Sequence, residues 1–137
     1  MQREHSNVHV LIVDDQPSFR RAARNVVDLT PGFVMSGDAD TGEAAVGAAR
    51  EQQPDLVLMD VHLPGIDGPE ASRRILAGST GKAPVIFLLS TYDPSEYADE
   101  TLLIDSGANA YLIKADFGSA RLSAAWDAAA VENGTRP

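Results

Sequence analysis

The sequence predicts a doubly wound α/β fold, a parallel five-stranded sheet with helices on both faces. Three observations carry this. Unbroken apolar runs such as Leu56-Val57-Leu58-Met59 and Val85-Ile86-Phe87-Leu88-Leu89 read as short strands buried on both faces, which belong to parallel sheets. Stretches with apolar residues at helical spacing alternate with these runs. The loops between them are short, and right-handed crossovers then wind the chain over both faces. There is no internal repeat and no low-complexity segment, so residues 1–137 are expected to form one domain, with a core of about 8–131 and a tail of 132–137.

In chain order, His9-Val10-Leu11-Ile12-Val13 is the first strand, ended by Asp14-Asp15. Ser18 to Leu29 follows as a helix with Pro17 just inside its start, and Phe19, Ala22, Ala23, Val26 and Val27 on one stripe. Asp15, two residues before Pro17, could also cap that helix, as an alternative or an addition to a site role. Phe33 to Gly37 is a weaker strand entered through Pro31-Gly32. Thr41 is the expected N-cap of a helix to Gln52 whose inner face holds Ala44, Ala45, Ala48 and Ala49. Leu56 to Asp60 is the central strand, closed by Pro64, Gly65 and Gly68. Asp67 caps a helix to about Ala77, with Ile75 and Leu76 inward. Pro84 to Leu89 is a strand ended by Ser90-Thr91. Pro94 to about Asp105 is a helix carrying Leu102, Leu103 and Ile104, stopped by Gly107 in a C′ position. Asn109 to Ile113 is the fifth strand, closed by Lys114, and Gly118 to Val131 the last helix, with Leu122, Ala125, Trp126 and Ala129 on one side.

Composition narrows the function. A net charge of −9 argues against nucleic-acid binding by this chain, because duplex affinity rests on neutralising phosphates. No apolar run is long enough to cross a bilayer, and Met1 to His9 is polar rather than a signal sequence. With no cysteine, disulfides and thiolate metal sites are excluded, and a cytoplasmic location is expected. His5, His9 and His62 have no metal-binding spacing and are expected to face solvent.

In a parallel sheet the carboxyl ends of all strands share one edge, where such folds place their ligands. That edge receives Asp14 and Asp15, then Asp60, then Ser90 or Thr91, then Lys114. Crowded carboxylates repel unless a cation stands between them, and Mg²⁺ suits an all-oxygen set. The edge suits an incoming phosphoryl group. Mg²⁺ and Lys114 would offset its charge, Ser90 would donate a hydrogen bond, and Asp60 is placed to be the nucleophile forming an acyl phosphate.

These residues resemble the receiver domain of two-component response regulators. The resemblance rests on Asp14-Asp15, on Leu58-Met59-Asp60-x-x-Leu63-Pro64-Gly65-x-Asp67-Gly68, on Ser90, and on Gly107-Ala108-x-Ala110-Tyr111-Leu112-x-Lys114. It covers about Val8 to Val131, and the run Lys114 to Phe117 is most similar to receivers with a C-terminal helix-turn-helix domain. It implies a flavodoxin-like (βα)5 sandwich with strand order 2-1-3-4-5. It also implies Asp60 as phosphoacceptor, and Asp14, Asp15, Asp60 and the His62 backbone carbonyl as Mg²⁺ ligands. Ser90 matches the hydroxyl switch, with Thr91 the alternative. Tyr111 matches the aromatic switch, on top of a partly buried packing role, and Lys114 the phosphate-pairing lysine. A sensor histidine kinase would be the donor. Output would run through the face of helix four, strand five and helix five to an output domain or partner protein, or a second copy of the chain. Such a domain is no enzyme beyond its own phosphorylation and dephosphorylation.

The chain departs from the family in three ways. Ala115 follows Lys114 where many receivers have proline, the Ser90–Lys114 stretch is long, and only a short tail follows Val131. Three other readings compete. One is a receiver scaffold that works by protein contact without phosphate. A second is a cobalamin module, since Asp60-x-His62-x-x-Gly65 matches its signature, though after the wrong strand and without the downstream glycine pair. The third is an aspartate-based phosphohydrolase, which would want a second Asp where His62 stands.

Overall fold

The computed structural model describes residues 7–91 and 100–132. The expectations for His5, for a helix start at Pro94 and for a tail beyond 132 lie outside the described residues. Within them the chain runs β1 (Val8–Val13), α1 (Pro17–Asp28), β2 (Phe33–Ala39), α2 (Gly42–Gln52), β3 (Leu56–Asp60), α3 (Gly68–Ala77), β4 (Val85–Ser90), α4 (Glu100–Ser106), β5 (Ala110–Ile113) and α5 (Ser119–Glu132). A 3-10 turn, Lys114–Asp116, joins β5 to α5. The strands form one sheet in the order β2-β1-β3-β4-β5, every neighbouring pair parallel. The doubly wound fold and its 2-1-3-4-5 order are as expected.

Strand alternation divides the core in two. Val10, Ile12, Leu56, Leu58, Phe87 and Leu89 pack with α1 and α5 through Ala23, Val27 and Leu122. Leu11, Val13, Val57, Met59, Ile86 and Leu88 pack with α2 and α3 through Ala45, Ala49, Ala71 and Ile75. Trp126 lies against the first cluster, edge-on to Phe33 with ring centroids 6.2 Å apart. Thr41 and Asp67 cap α2 and α3 by accepting from Ala44 N (3.0 Å) and Glu70 N (2.9 Å). Gly107, at φ +79°, ends α4.

Several expectations are corrected. Ala22 and Ala44 are exposed. Alanine is too small to mark a helix face, and one residue of rotation carries it from core to solvent. β2 continues past Gly37 to Ala39 because Ser36 is an extra residue in the ladder, between the pairs Val10–Met35 and Leu11–Gly37. Its hydroxyl donates to Val10 O at 3.1 Å. Asp15 does not cap α1. The N-cap is Gln16, which makes no side-chain cap bond, and Gln16 N donates to Asp14 Oδ1 instead, at 2.9 Å. Ser90 is the last residue of β4 rather than the first after it.

Gly68 sets how closely α3 approaches the end of β3, since its N–H donates to Val61 O at 2.9 Å and a Cβ there would collide with the Asp60 carbonyl. Backbone on both sides cannot give way. Gly68→Ala should therefore lower unfolding free energy by about 1–3 kcal/mol. Gly47, mid-helix in α2 with nothing near an added Cβ, should behave oppositely, Gly47→Ala raising stability by about 0.5–1 kcal/mol. Paired urea titrations check both signs.

Candidate functional site

The sheet register brings the predicted residues together. Val13 pairs with Met59, so Asp14 and Asp60 leave their strands side by side. Asp60 pairs with Leu89 and Ser90 with Ile113, which places Lys114 one residue past the edge. Alternation also sorts their faces. Asp14, Asp60 and Lys114 continue the series Val10-Ile12, Leu56-Leu58 and Leu112, the α1/α5 side. Ser90 continues Ile86-Leu88, and Leu88 pairs with Tyr111, which packs partly buried against the opposite cluster.

Asp14 and Asp60 are almost wholly buried, and Asp15 is exposed beside them. One carboxylate oxygen from each of the three lies within 4.8 Å of the others. The Lys114 ammonium is 2.6 Å from Asp14 Oδ2 and 3.5 Å from Asp60 Oδ1. Burial first, and the Asp14 charge second, push the Asp60 carboxyl up to about 6, against the opposing pull of Lys114 and of the His62 N–H. That N–H donates to Asp60 Oδ1 at 3.2 Å, while the His62 side chain is exposed, as is that of His9. Ser90 is fully buried and Thr91 exposed.

These residues fit a hard divalent cation. Asp14 Oδ2, although close to the ammonium, receives no aligned hydrogen bond, so a buried anionic oxygen is left with coordination capacity. The donors are all oxygen, and among the described residues one lysine ammonium stands against two of the three carboxylates.

Two neighbours are absent from the sequence-based list. The Arg20 guanidinium donates to the Asp14 backbone carbonyl (2.6 Å) and stands 3.8 Å from Asp38, which also pairs with Arg24 at 3.1 Å. Phe19, read from its spacing as core only, has the Lys114 ammonium 4.8 Å from its ring centroid. Both lie one helical turn past the acidic pair, and that proximity was the available signal.

Comparison with known proteins agrees with this geometry. A family model, the response regulator receiver domain, matches residues 10–127. The response regulator GacA from Pseudomonas aeruginosa is 36% identical over 107 residues, 78% of this chain and 48% of that protein. A transcriptional regulatory protein of Bacillus subtilis, YxjL, is also 36% identical over 107 residues, 78% of this chain and 47% of its own length. A solved structure, a LuxR-family two-component response regulator from Aurantimonas, is 31% identical with a TM-score of 0.77, covering 90% of this chain and 84% of that one. The chain spans about half the length of the curated relatives it matches. No helix among the described residues is long and apolar enough to cross a membrane.

The raised Asp60 carboxyl has a consequence for stability. Between its ordinary 3.8 and about 6, the folded chain binds more protons than the unfolded one. The contribution of Asp60 is therefore complete at low pH and lost as pH rises through about 6. Without metal, Asp60→Asn should gain about 1–3 kcal/mol over wild type above neutral pH. The advantage should shrink towards zero near pH 4, where wild-type Asp60 is itself protonated. Urea titrations in chelator at the two pH values measure the difference.

Proposed function

Because the chain belongs to the response regulator receiver family, we propose that it takes a phosphoryl group onto Asp60 from a sensor histidine kinase and relays the change to an output domain or partner protein. The observation that carries this is the meeting of three carboxylates within 4.8 Å with a lysine ammonium against two of them, at the carboxyl edge of the sheet.

In the proposed step an Asp60 carboxylate oxygen attacks phosphorus. The O–P bond forms as the N–P bond of the phosphohistidine breaks, and the imidazole leaves with the electron pair. With its pKa at about 6, Asp60 is mostly ionised at neutral pH, and more basic than an ordinary carboxylate. Lys114 balances charge on the equatorial oxygens, and the Ser90 hydroxyl donates to one of them. Asp14, Asp15, Asp60 and the His62 backbone carbonyl would hold Mg²⁺. That ion, when bound, supplies positive charge to the phosphoryl oxygens.

Ser90 is favoured over Thr91 as the hydroxyl switch because it shares a sheet face with Tyr111. Drawing Ser90 towards a phosphoryl group would open or close space beside the Tyr111 ring, a packing change on the α4–β5–α5 face. Output contacts, including pairing of two copies, are assigned to that face. Under this reading the chain itself makes no nucleic-acid contact, performs no chemistry beyond its own modification and acts in the cytoplasm.

The test is to incubate the chain with Mg²⁺ and acetyl phosphate and weigh it intact, beside Asp60→Ala. A labile gain of one phosphoryl group, absent in the variant and absent with chelator, is expected. No gain at any donor concentration would overturn the phosphorylation reading and leave a receiver fold that acts by protein contact alone.

A further inference from the structure

The turn that carries Lys114 has an unusual amount of aromatic support. The Lys114–Asp116 3-10 turn closes with Phe117 N donating to Lys114 O at 3.2 Å, and this brings the Phe117 ring back over α1. There it meets Phe19, with centroids 6.3 Å apart and planes inclined at 46°. Phe19 in turn faces the Lys114 ammonium at 4.8 Å. Both rings are partly buried against the α1/α5 core. Ala115, inside the turn, contributes no ring to lock the backbone.

Among the described residues the ammonium therefore meets two carboxylates on the sheet edge and one π face from α1. The Lys114 side chain is largely buried, at 15% exposure. A desolvated cation near a ring within about 6 Å is held more firmly than one in water. The carboxylates alone would leave its position free to follow whichever charge is stronger. Asp14 is nearer than Asp60, so the electrostatic pull is away from the phosphoacceptor. Phe19 adds a third attraction, from α1, that depends on neither carboxylate.

We propose that Phe19, backed by Phe117, is a positioning residue for Lys114: its ring holds the ammonium between Asp14 and Asp60 and so sets the cation where an incoming phosphoryl group needs it. The inference rests on the phosphoryl-transfer reading above for its purpose, but not for its geometry, and its test separates the two.

Three proteins are compared: wild type, Phe19→Leu, which keeps an apolar side chain without a π face, and Phe19→Tyr, which keeps the face. NMR of the full chain, without any phosphoryl donor, reads the Lys114 ε-methylene resonances. The ring current should shift them upfield in wild type and Phe19→Tyr and release them in Phe19→Leu. The initial rate of phosphorylation by acetyl phosphate at saturating Mg²⁺ is measured beside it. It should fall about threefold to tenfold in Phe19→Leu and stay near wild type in Phe19→Tyr, with thermal unfolding followed for all three. Unshifted Lys114 resonances in wild type would overturn the proposal. So would a Phe19→Leu rate equal to wild type, or equal losses in Leu and Tyr, which is what a packing role alone would give. A wild-type chain that accepts no phosphoryl group would sink the function proposed for Asp60. The Lys114 resonances would still decide whether the ring holds the ammonium.

Discussion

Like charges gathered at one sheet edge are the constraint on which the rest of this structure turns. Asp14 and Asp60 leave adjacent strands in the same register, both buried, with Asp15 beside them. In a partly desolvated site their repulsion is severe, and one response is visible in Asp60, where burial first and the Asp14 charge second hold the proton up to about pH 6. Another is Lys114, drawn to 2.6 Å from Asp14. A third is Arg20, whose guanidinium caps the Asp14 carbonyl and places a further positive charge beside the acidic loop. Each response requires an element in a particular place. Lys114 depends on the β4–β5 register, Arg20 on α1 beginning at Pro17, and the Asp60 turn on a residue without Cβ at Gly68.

The same edge shows what a sequence reveals and what it hides. Strands buried on both faces have few polar residues to blur them, so β1, β3 and β4 and the residues that end them, Asp14, Asp60 and Ser90, were legible from the apolar runs. A parallel sheet then dictated that Asp14, Asp60 and Lys114 meet. What the pattern could not carry was anything that depends on rotation or register within an element. Ala22 and Ala44 fit a helical stripe by spacing yet sit outside it. The extra Ser36 in β2 is invisible without its partner strand, since a bulge is a mismatch between two strands and not a property of one. Asp15 had the chemistry of a cap, but Asp14 already accepts from Gln16 N, and that occupies the turn. Phe19 and Arg20 were hidden differently. The helical spacing of Phe19 explained it so well as core that nothing called for a second role, and no motif singled out Arg20.

Alternation along the strands separates two tasks that would otherwise compete for the same space. Asp14, Asp60 and Lys114 belong to the series facing α1 and α5, whereas Ser90 and Tyr111 belong to the series facing α2 and α3. Under the proposed reading, charge chemistry and its mechanical consequence then lie on opposite sides of one thin sheet. A ligand on Asp60 cannot reach Tyr111 directly. It must act through a residue at the strand end that both sides can feel, and Ser90, the terminal residue of the neighbouring strand, is in that position.

A site of this kind is poised because its resting state is imperfect. The buried Asp14 Oδ2 lacks an aligned donor, Asp60 is reluctant to ionise, and one ammonium is divided between two acids. None of these groups could be improved alone without spoiling another. Moving Lys114 fully to Asp60 would strand Asp14, and neutralising Asp60 would, under the proposed reading, remove the nucleophile. Under the proposed reading, a bound divalent cation and a phosphoryl group relieve these strains together: the cation takes the spare oxygens and the phosphoryl group gives Lys114 an anion of its own. The free energy that shifts the conformation then comes from relief of a frustrated charge cluster. An added ligand can shift an equilibrium only by as much as it prefers one state, and a cluster left under-satisfied in the resting state enlarges that preference.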